Sequence, residues 1–426
     1  MLALRKVLTF VTLLMFSAVV NAQSGAVRFS NLPAAAQSSI YSTLADKIPD
    51  FSWEQLAKLT ASDGQSGVGF GVSIAISGDT VVVGINVNYL HEAYVFVKPS
   101  TGWANMTETA VLTPSDEQNA YAFGYAVGIS GDTIVVGAVG EQQCMAPGYV
   151  YVRPRDGWKN MTETAELTTQ SCGIFELGVS GNTVVVSSAY NGGNSYVFVK
   201  PKGGWKSTSQ PNAVLTTPFY ANFCQWCVAV SGDTIAVGTP GTFGSEGTVY
   251  VFVKPSGGWR GNLTPTATLV ASNGKFGDQL GISVAVSGDT VVAGANGDNQ
   301  YSGAVYVFVK PAGGWKDMTE TAELTTPNSL DLGWSVAVCG NRILGGAFYT
   351  TVGTNQLQGA AYLYVRPRSG WKTTQKFNAE LTSSDGMPND EFGASVGISG
   401  TTAVAGAPAA TIGSNVGQGA AYVLEK

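Results

Sequence analysis

The chain has 426 residues, 54 of them glycine, with 12% charged side chains and a net charge of −6. An acidic chain without a basic run or stripe has nothing to hold nucleic acid or to dock on an anionic membrane. So many glycines and so few charges suit tight turns between strands buried on both faces.

Residues 1–22 read as a secretory signal. Arg5 and Lys6 start it, Val7–Val20 form its apolar stretch, and Val20-Asn21-Ala22 is a small-residue cleavage site. That stretch is shorter than the roughly 20 residues that span a bilayer, so a secreted, extracellular protein is expected, with no membrane insertion. Residues 23–50 are expected to form a linker, or a short helix over Ala34–Ile48.

From residue 51 to 426 one unit recurs. Its marker is a Ser-Gly-Asp-Thr turn whose glycines are Gly78, Gly131, Gly181, Gly232, Gly288, Gly340 and Gly400. A strand of the Ser73-Ile74-Ala75-Ile76 kind, begun near Phe70-Gly71, precedes the turn, and a second strand such as Val81–Gly84 follows it. The third strand reads Tyr-Val-Phe-Val, as at Tyr94–Val97, and a Gly-Trp turn leads into a fourth, as from Trp103 to Leu112. A strand-rich unit of about 50 residues cannot bury its faces alone, so copies must stack, as in a propeller. The fold expected is all-β, a seven-bladed β-propeller of four-stranded antiparallel blades. Six fourth strands follow third strands. The seventh, Trp53 to Leu59, stands before the first unit, so it should complete the last blade and close the ring, removing two open edges.

The chain has five cysteines. Cys144 and Cys172, both in loops on one face, are the expected disulfide. Cys224 and Cys227 are three apart near the start of a strand, where an extended backbone would hold them too far apart to bond easily. Cys339 replaces a turn serine and reads as an inert buried thiol. Asn105, Asn160 and Asn262 open glycosylation sequons just after Gly-Trp turns, where a glycan would be exposed.

Connections in such blades alternate between two faces. The Ser-Gly-Asp and Gly-Trp turns share one; long, variable loops crowd the other, where a rigid scaffold usually places binding. Six residues before the turn glycines stand Val72, Tyr125, Phe175, Trp226, Ile282, Trp334 and Ala394. The aromatic ones, Tyr125, Phe175, Trp226 and Trp334, are the candidate ligand contacts at the channel mouth, with packing between blades the plainer reading. Loop acids Asp63, Asp116, Asp278, Asp331, Asp385 and Asp390 recur and read as solvated. No Gly-x-Ser-x-Gly, phosphate-cradling loop or Cys/His pair occurs, and His91 is the sole histidine. A protein that is not an enzyme, with no cofactor, is expected.

Phe70-Gly71, Phe123-Gly124 and Phe392-Gly393, with Gly406-Ala407-Pro408 and its partial copies Gly137-Ala138, Gly238-Thr239-Pro240 and Gly294-Ala295, resemble the FG-GAP repeat, the blade of the integrin alpha-subunit head. The resemblance covers about residues 51–426. Calcium-binding members carry an Asp-x-Asp-x-Asp-Gly loop between first and second strands. Here that connection is a two-residue turn with at most one carboxylate, too few oxygens for calcium, so no metal site is expected. The resemblance implies an adhesion-like protein that binds an extracellular protein ligand. A lectin-type propeller with a carbohydrate ligand is the alternative, and a propeller enzyme using channel carboxylates a third.

Overall fold

A computed structural model of the chain describes residues 53–87, 89–117, 120–139, 147–169, 176–187, 194–218 and 227–426. The segments 1–22 and 23–50 and the residues Cys144, Cys172, Phe175, Cys224 and Trp226 lie outside them.

The repeated turn shapes the blade. Ser77 pairs with Thr80 across Gly78-Asp79, and Gly78 has φ +57° while Asp79 stays out of the positive region. A positive φ at the first central residue alone is type II′ geometry, whose twist matches the strands it joins. The other six turn glycines fall between +56° and +59°. Blade one consists of Ile74–Ser77, Thr80–Val83, Ala93–Val97 and Ala110–Leu112, paired in that order and antiparallel throughout. Six further blades repeat it. Their first strands are Tyr121–Ser130, Glu176–Ser180, Val228–Ser231, Val284–Ser287, Ser335–Cys339 and Ser395–Ser399.

First strands contact one another around a closed ring, blade seven meeting blade one. The closing strand is where the sequence places it: Glu54–Leu59 pairs antiparallel with Ala420–Glu425, at the edge of the sheet that holds Ser395–Ser399. Core lies between blades rather than within them. Val82, Val95 and Leu112 of blade one pack on Ile134, Val136 and Tyr149 of blade two. Val404 and Val423 of blade seven pack likewise on Val81 and Phe96 of blade one.

Two hydrogen-bonded joints tie the blades together. At the tight turns, the Gly131 amide donates to Ser77 Oγ of the preceding blade at 3.1 Å. The same bond recurs at Gly181, Gly232, Gly288 and Gly340, and closes from Gly78 to Ser399 Oγ at 3.1 Å. At the one exception, the Gly400 amide meets Cys339 Sγ at 3.4 Å. Cys339 is therefore a half-buried free thiol that occupies a place in the ring, not an inert buried one.

The second joint uses the Phe-Gly pair. In blade one this pair does not begin the first strand, which starts at Ile74; only in blade two does the strand include it. Gly71 has φ +97°, and a Cβ there would stand 2.6 Å from the Ala420 carbonyl oxygen. A Cβ on Gly406 would overlap the Gly71 carbonyl. Ser395 Oγ donates to that carbonyl at 2.7 Å, and Ser73, Ser283 and Ser335 do the same to Gly124, Gly333 and Gly393. The Phe-Gly of each such blade (Leu332-Gly333 in blade six) thus plugs onto a glycine of the blade before it, Gly406, Gly84, Gly294 or Gly346. Only glycines permit the approach.

The fourth strands are also shorter than expected. Most of the stretch from Trp103 to Leu112 lies over the outer edge of the neighbouring blade: Met106 bridges in parallel to Leu59, and Asn105 Oδ1 accepts the Lys58 amide at 2.8 Å. Exposed backbone donors at the edge are thereby occupied.

Candidate functional site

The loop side of the ring is held rigid by its own repeats. The residue just before Phe-Gly or Leu-Gly sits in the left-handed region in five blades: Gly69, Ala122, Gln279, Asp331 and Glu391, with φ from +49° to +65°. In four of them its amide and the next one hook onto carbonyls of the preceding blade's loop. Asp331 and Leu332 donate to Tyr301 and Ser302 at 2.8 and 3.2 Å, and Glu391 and Phe392 to Leu357 and Gln358 at 3.2 and 2.8 Å. Non-glycine residues held there cost on the order of 1 kcal/mol each. The loops are locked in return.

The recurrent loop acids have structural tasks. Third-strand tyrosines donate to them: Tyr149 to Asp116 at 2.7 Å, Tyr422 to Asp385 at 3.0 Å, and Tyr94 to Asp63 at 3.1 Å and Glu92 at 2.7 Å. Burial, then these carboxylate partners, drive the phenols far above their ordinary range. Asp278 and Asp390 instead accept the amides of Lys275 and Met387 within their own loops. Among the described residues no cluster of three acids, histidines or cysteines is arranged to hold a metal ion.

A cavity of about 380 Å³ opens at the channel mouth on the loop side. Val72, Tyr125, Trp334 and Ala394, all from the repeat position six before the turn glycine, line it together. Ile282 does not line it, and Phe175 and Trp226 lie outside the described residues. Phe348 and Pro408 line it too, each following a Gly-Ala pair. Trp334 stacks at a tilt on Phe348, centroids 4.7 Å apart, and Phe348 on Tyr349 at 3.9 Å. Glu391 is the charged side chain of this lining, its carboxyl raised by burial. Burial, then Glu391 and Asp331, raise the Tyr349 phenol. Sequence reasoning missed Phe348, Tyr349 and Glu391; the available signal was Gly346-Ala347-Phe348, which stands where blade seven has Gly406-Ala407-Pro408.

The loop side also carries most of the large apolar side chains that are exposed among the described residues. Phe276 is 84% exposed, Tyr301 65%, Val416 69%, Tyr89 62% and Met387 60%, with Leu330 and Tyr349 beside them. All sit in connections on the loop side. The remaining two, Leu56 and Phe377, belong to the outer flank. Tyr301 is carried by a left-handed turn, with Asn299, Gln300 and Tyr301 at φ +51°, +61° and +67°.

Asn105, Asn160 and Asn262 are exposed on the flank. Asn160 Oδ1 accepts the Val111 amide at 2.9 Å, and in blade five Asp317 takes the same role with Thr268 at 2.8 Å. The Asn105 and Asn160 side chains therefore serve the edge cover, with or without a glycan. Cys227 is fully buried and disulfide-bonded, and the expected Cys144–Cys172 pair lies outside the described residues.

Comparison with known proteins agrees with the architecture. The FG-GAP repeat family model matches residues 53–96, 106–152, 263–308 and 376–424. No curated protein matches the chain. Among solved structures, the WD40 β-propeller domain of Doa1 is similar with a TM-score of 0.52 at 10% identity, over 88% of this chain and 98% of that one. The hydrazine synthase of Kuenenia stuttgartiensis matches with a TM-score of 0.50 at 14% identity, over 81% and 93%. At such identities the likeness shows the fold alone.

Proposed function

Because the chain is a seven-bladed β-propeller with FG-GAP repeats in four places, we propose that it is a secreted, non-enzymatic binding protein whose loop side holds an extracellular protein ligand. The observation that carries this reading is the gathering of Tyr89, Phe276, Tyr301, Met387 and Val416, exposed, on one side of the ring. Exposed apolar side chains concentrated on one face are the usual mark of an interaction surface, and the locked loops reduce the ordering cost of binding. The bonded state of Cys227 fits an oxidising compartment.

A carbohydrate ligand is the second reading, favoured by the tilted stack of Trp334, Phe348 and Tyr349 beside Glu391 at the cavity. Gln23–Lys426 can be screened against a panel of extracellular proteins and a glycan array, with and without a calcium chelator. Protein binding is expected, unchanged by the chelator. It should fall at least about tenfold in the Phe276→Ala/Tyr301→Ala/Met387→Ala variant. Binding to sugars that is lost in Trp334→Ala and kept in the triple variant would favour the lectin. Binding indifferent to all four substitutions would remove the loop side from both readings.

A further inference from the structure

The sequence has no basic run, yet the fold assembles a basic arc. Three blades share one turn: Arg153-Pro154-Arg155 with Trp158-Lys159, Lys200-Pro201-Lys202 with Trp205-Lys206, and Arg366-Pro367-Arg368 with Trp371-Lys372. Each turn is closed by the same bond, from Gly157 to Pro154, Gly204 to Pro201 and Gly370 to Pro367, at 3.0 to 3.1 Å. The bases around it thus take equivalent places. All three turns lie on the side opposite the long loops.

Blade two neutralises two of its three turn bases. Arg153 pairs with Asp132 at 2.8 Å and Lys159 with Asp156 at 3.0 Å. Blades three and six have Asn182 and Asn341 in place of Asp132, and Gly203 and Ser369 in place of Asp156. Among the described residues, none of their six turn bases joins an ion pair. Arg260 of blade four and Lys316 of blade five, exposed and likewise outside the ion pairs, continue the arc between them.

We propose that this turn-side arc, from blade three to blade six, binds a linear sulfated polysaccharide. Guanidinium and ammonium groups spread over four blades, with the neutralising acids replaced in blades three and six and those of blades four and five, Asp233 and Asp289, engaged by Lys254 and Lys310, match a chain of fixed anions, and arginine is suited to forked contacts with oxyanions. Among the described residues the connections of this side expose just one large apolar side chain, Phe377, and it packs against Tyr362. This side therefore offers neither a wedge for a bilayer nor an aromatic platform for unstacked bases. A hydrated polyanion needs neither. This site is separate from the loop side and does not depend on the reading given for it.

The test is retention of the full chain on immobilised heparin, followed by titration with heparin across a salt series. Three triple variants are compared: Lys200→Gln/Lys202→Gln/Lys206→Gln, Arg366→Gln/Arg368→Gln/Lys372→Gln, and the blade-two control Arg153→Gln/Arg155→Gln/Lys159→Gln. Thermal melts show that each is folded. The protein should be retained near physiological salt. The first two variants should each lose at least tenfold in affinity, with the salt slope reduced by about two to three units, and the control should lose little. Failure to bind heparin at low salt would overturn the proposal. So would an equal loss in the blade-two control, which would mean generic charge attraction, or equally tight binding to phosphatidylserine vesicles or single-stranded DNA.

Discussion

At the scale of single residues, the turn serines and the joint glycines do different amounts of work. Each serine oxygen accepts one amide from the next blade in an exposed setting, worth about 0.5–1.5 kcal/mol. Ser180→Ala, which strips the bond from Gly232 at 3.0 Å, should therefore cost about 1 kcal/mol. Cys339→Ser should be neutral or stabilising, because oxygen accepts the Gly400 amide better than sulfur does. Gly294 meets a harder constraint: a Cβ there would overlap the Gly333 carbonyl, which is backbone and already holds Ser283 Oγ. Gly294→Ala should cost several times as much as Ser180→Ala, since a blade must shift or the joint must open. Chemical denaturation of the three variants measures all of this, and equal losses for the serine and glycine changes would refute the joint.

At the scale of strands, the closing element is short but seals the ring. Glu54–Leu59 covers the outer edge of Ala420–Glu425, buries Ala57 and Leu59 completely, and holds blade seven's loop through Lys58 to Asp385 at 2.8 Å and the Ser384 amide to Gln55 Oε1 at 2.9 Å. Deleting residues 54–59 should lower Tm by more than about 10 °C and raise hydrogen exchange throughout Ala420–Glu425 and Thr402–Ala407. Leu59→Ala, a single cavity costing about 2–5 kcal/mol, is the comparison. If the deletion costs no more, the strand is only an edge cover. This strand was legible because its text repeats that of the other fourth strands, and the turns were legible because two-residue hairpin chemistry is local. Phe-Gly was misplaced because its φ is set by the preceding blade, which no local pattern reveals. The turn serine's partner is likewise about 50 residues away. Phe348 escaped notice because it replaces a proline in the motif, and the basic arc because its members are scattered one blade apart.

For the molecule as a whole, the acidic loop side sets the response to pH. Burial is the leading cause that raises the carboxyls of Glu92, Asp278, Asp331, Asp390 and Glu391 there. On blade three, burial pushes Glu176 up to about 8. Fewer groups move the other way. Asp156 is lowered by its hydrogen bond from Lys159. In Asp385 burial works upward, and the Lys58 ammonium outweighs it. A carboxyl raised in the folded state holds a proton that the unfolded chain releases, so its contribution is full below the ordinary carboxylate range and is lost as pH rises through the folded value. A lowered one behaves oppositely and weakens the fold only in acid. The balance favours maximal stability in mild acid, with Tm falling by several degrees from pH 5 to pH 8 at constant ionic strength. Glu176 contributes to the upper part of that fall, because burial raises its carboxyl to about 8, at the strand position where blades one, five, six and seven carry serine. Glu176→Gln keeps the neutral shape at every pH and should flatten the curve between pH 6 and 8 while leaving the lower part intact. Differential scanning calorimetry on both proteins decides it, and a Tm that climbs toward pH 8 would mean that the buried carboxylates find compensating partners in the folded ring.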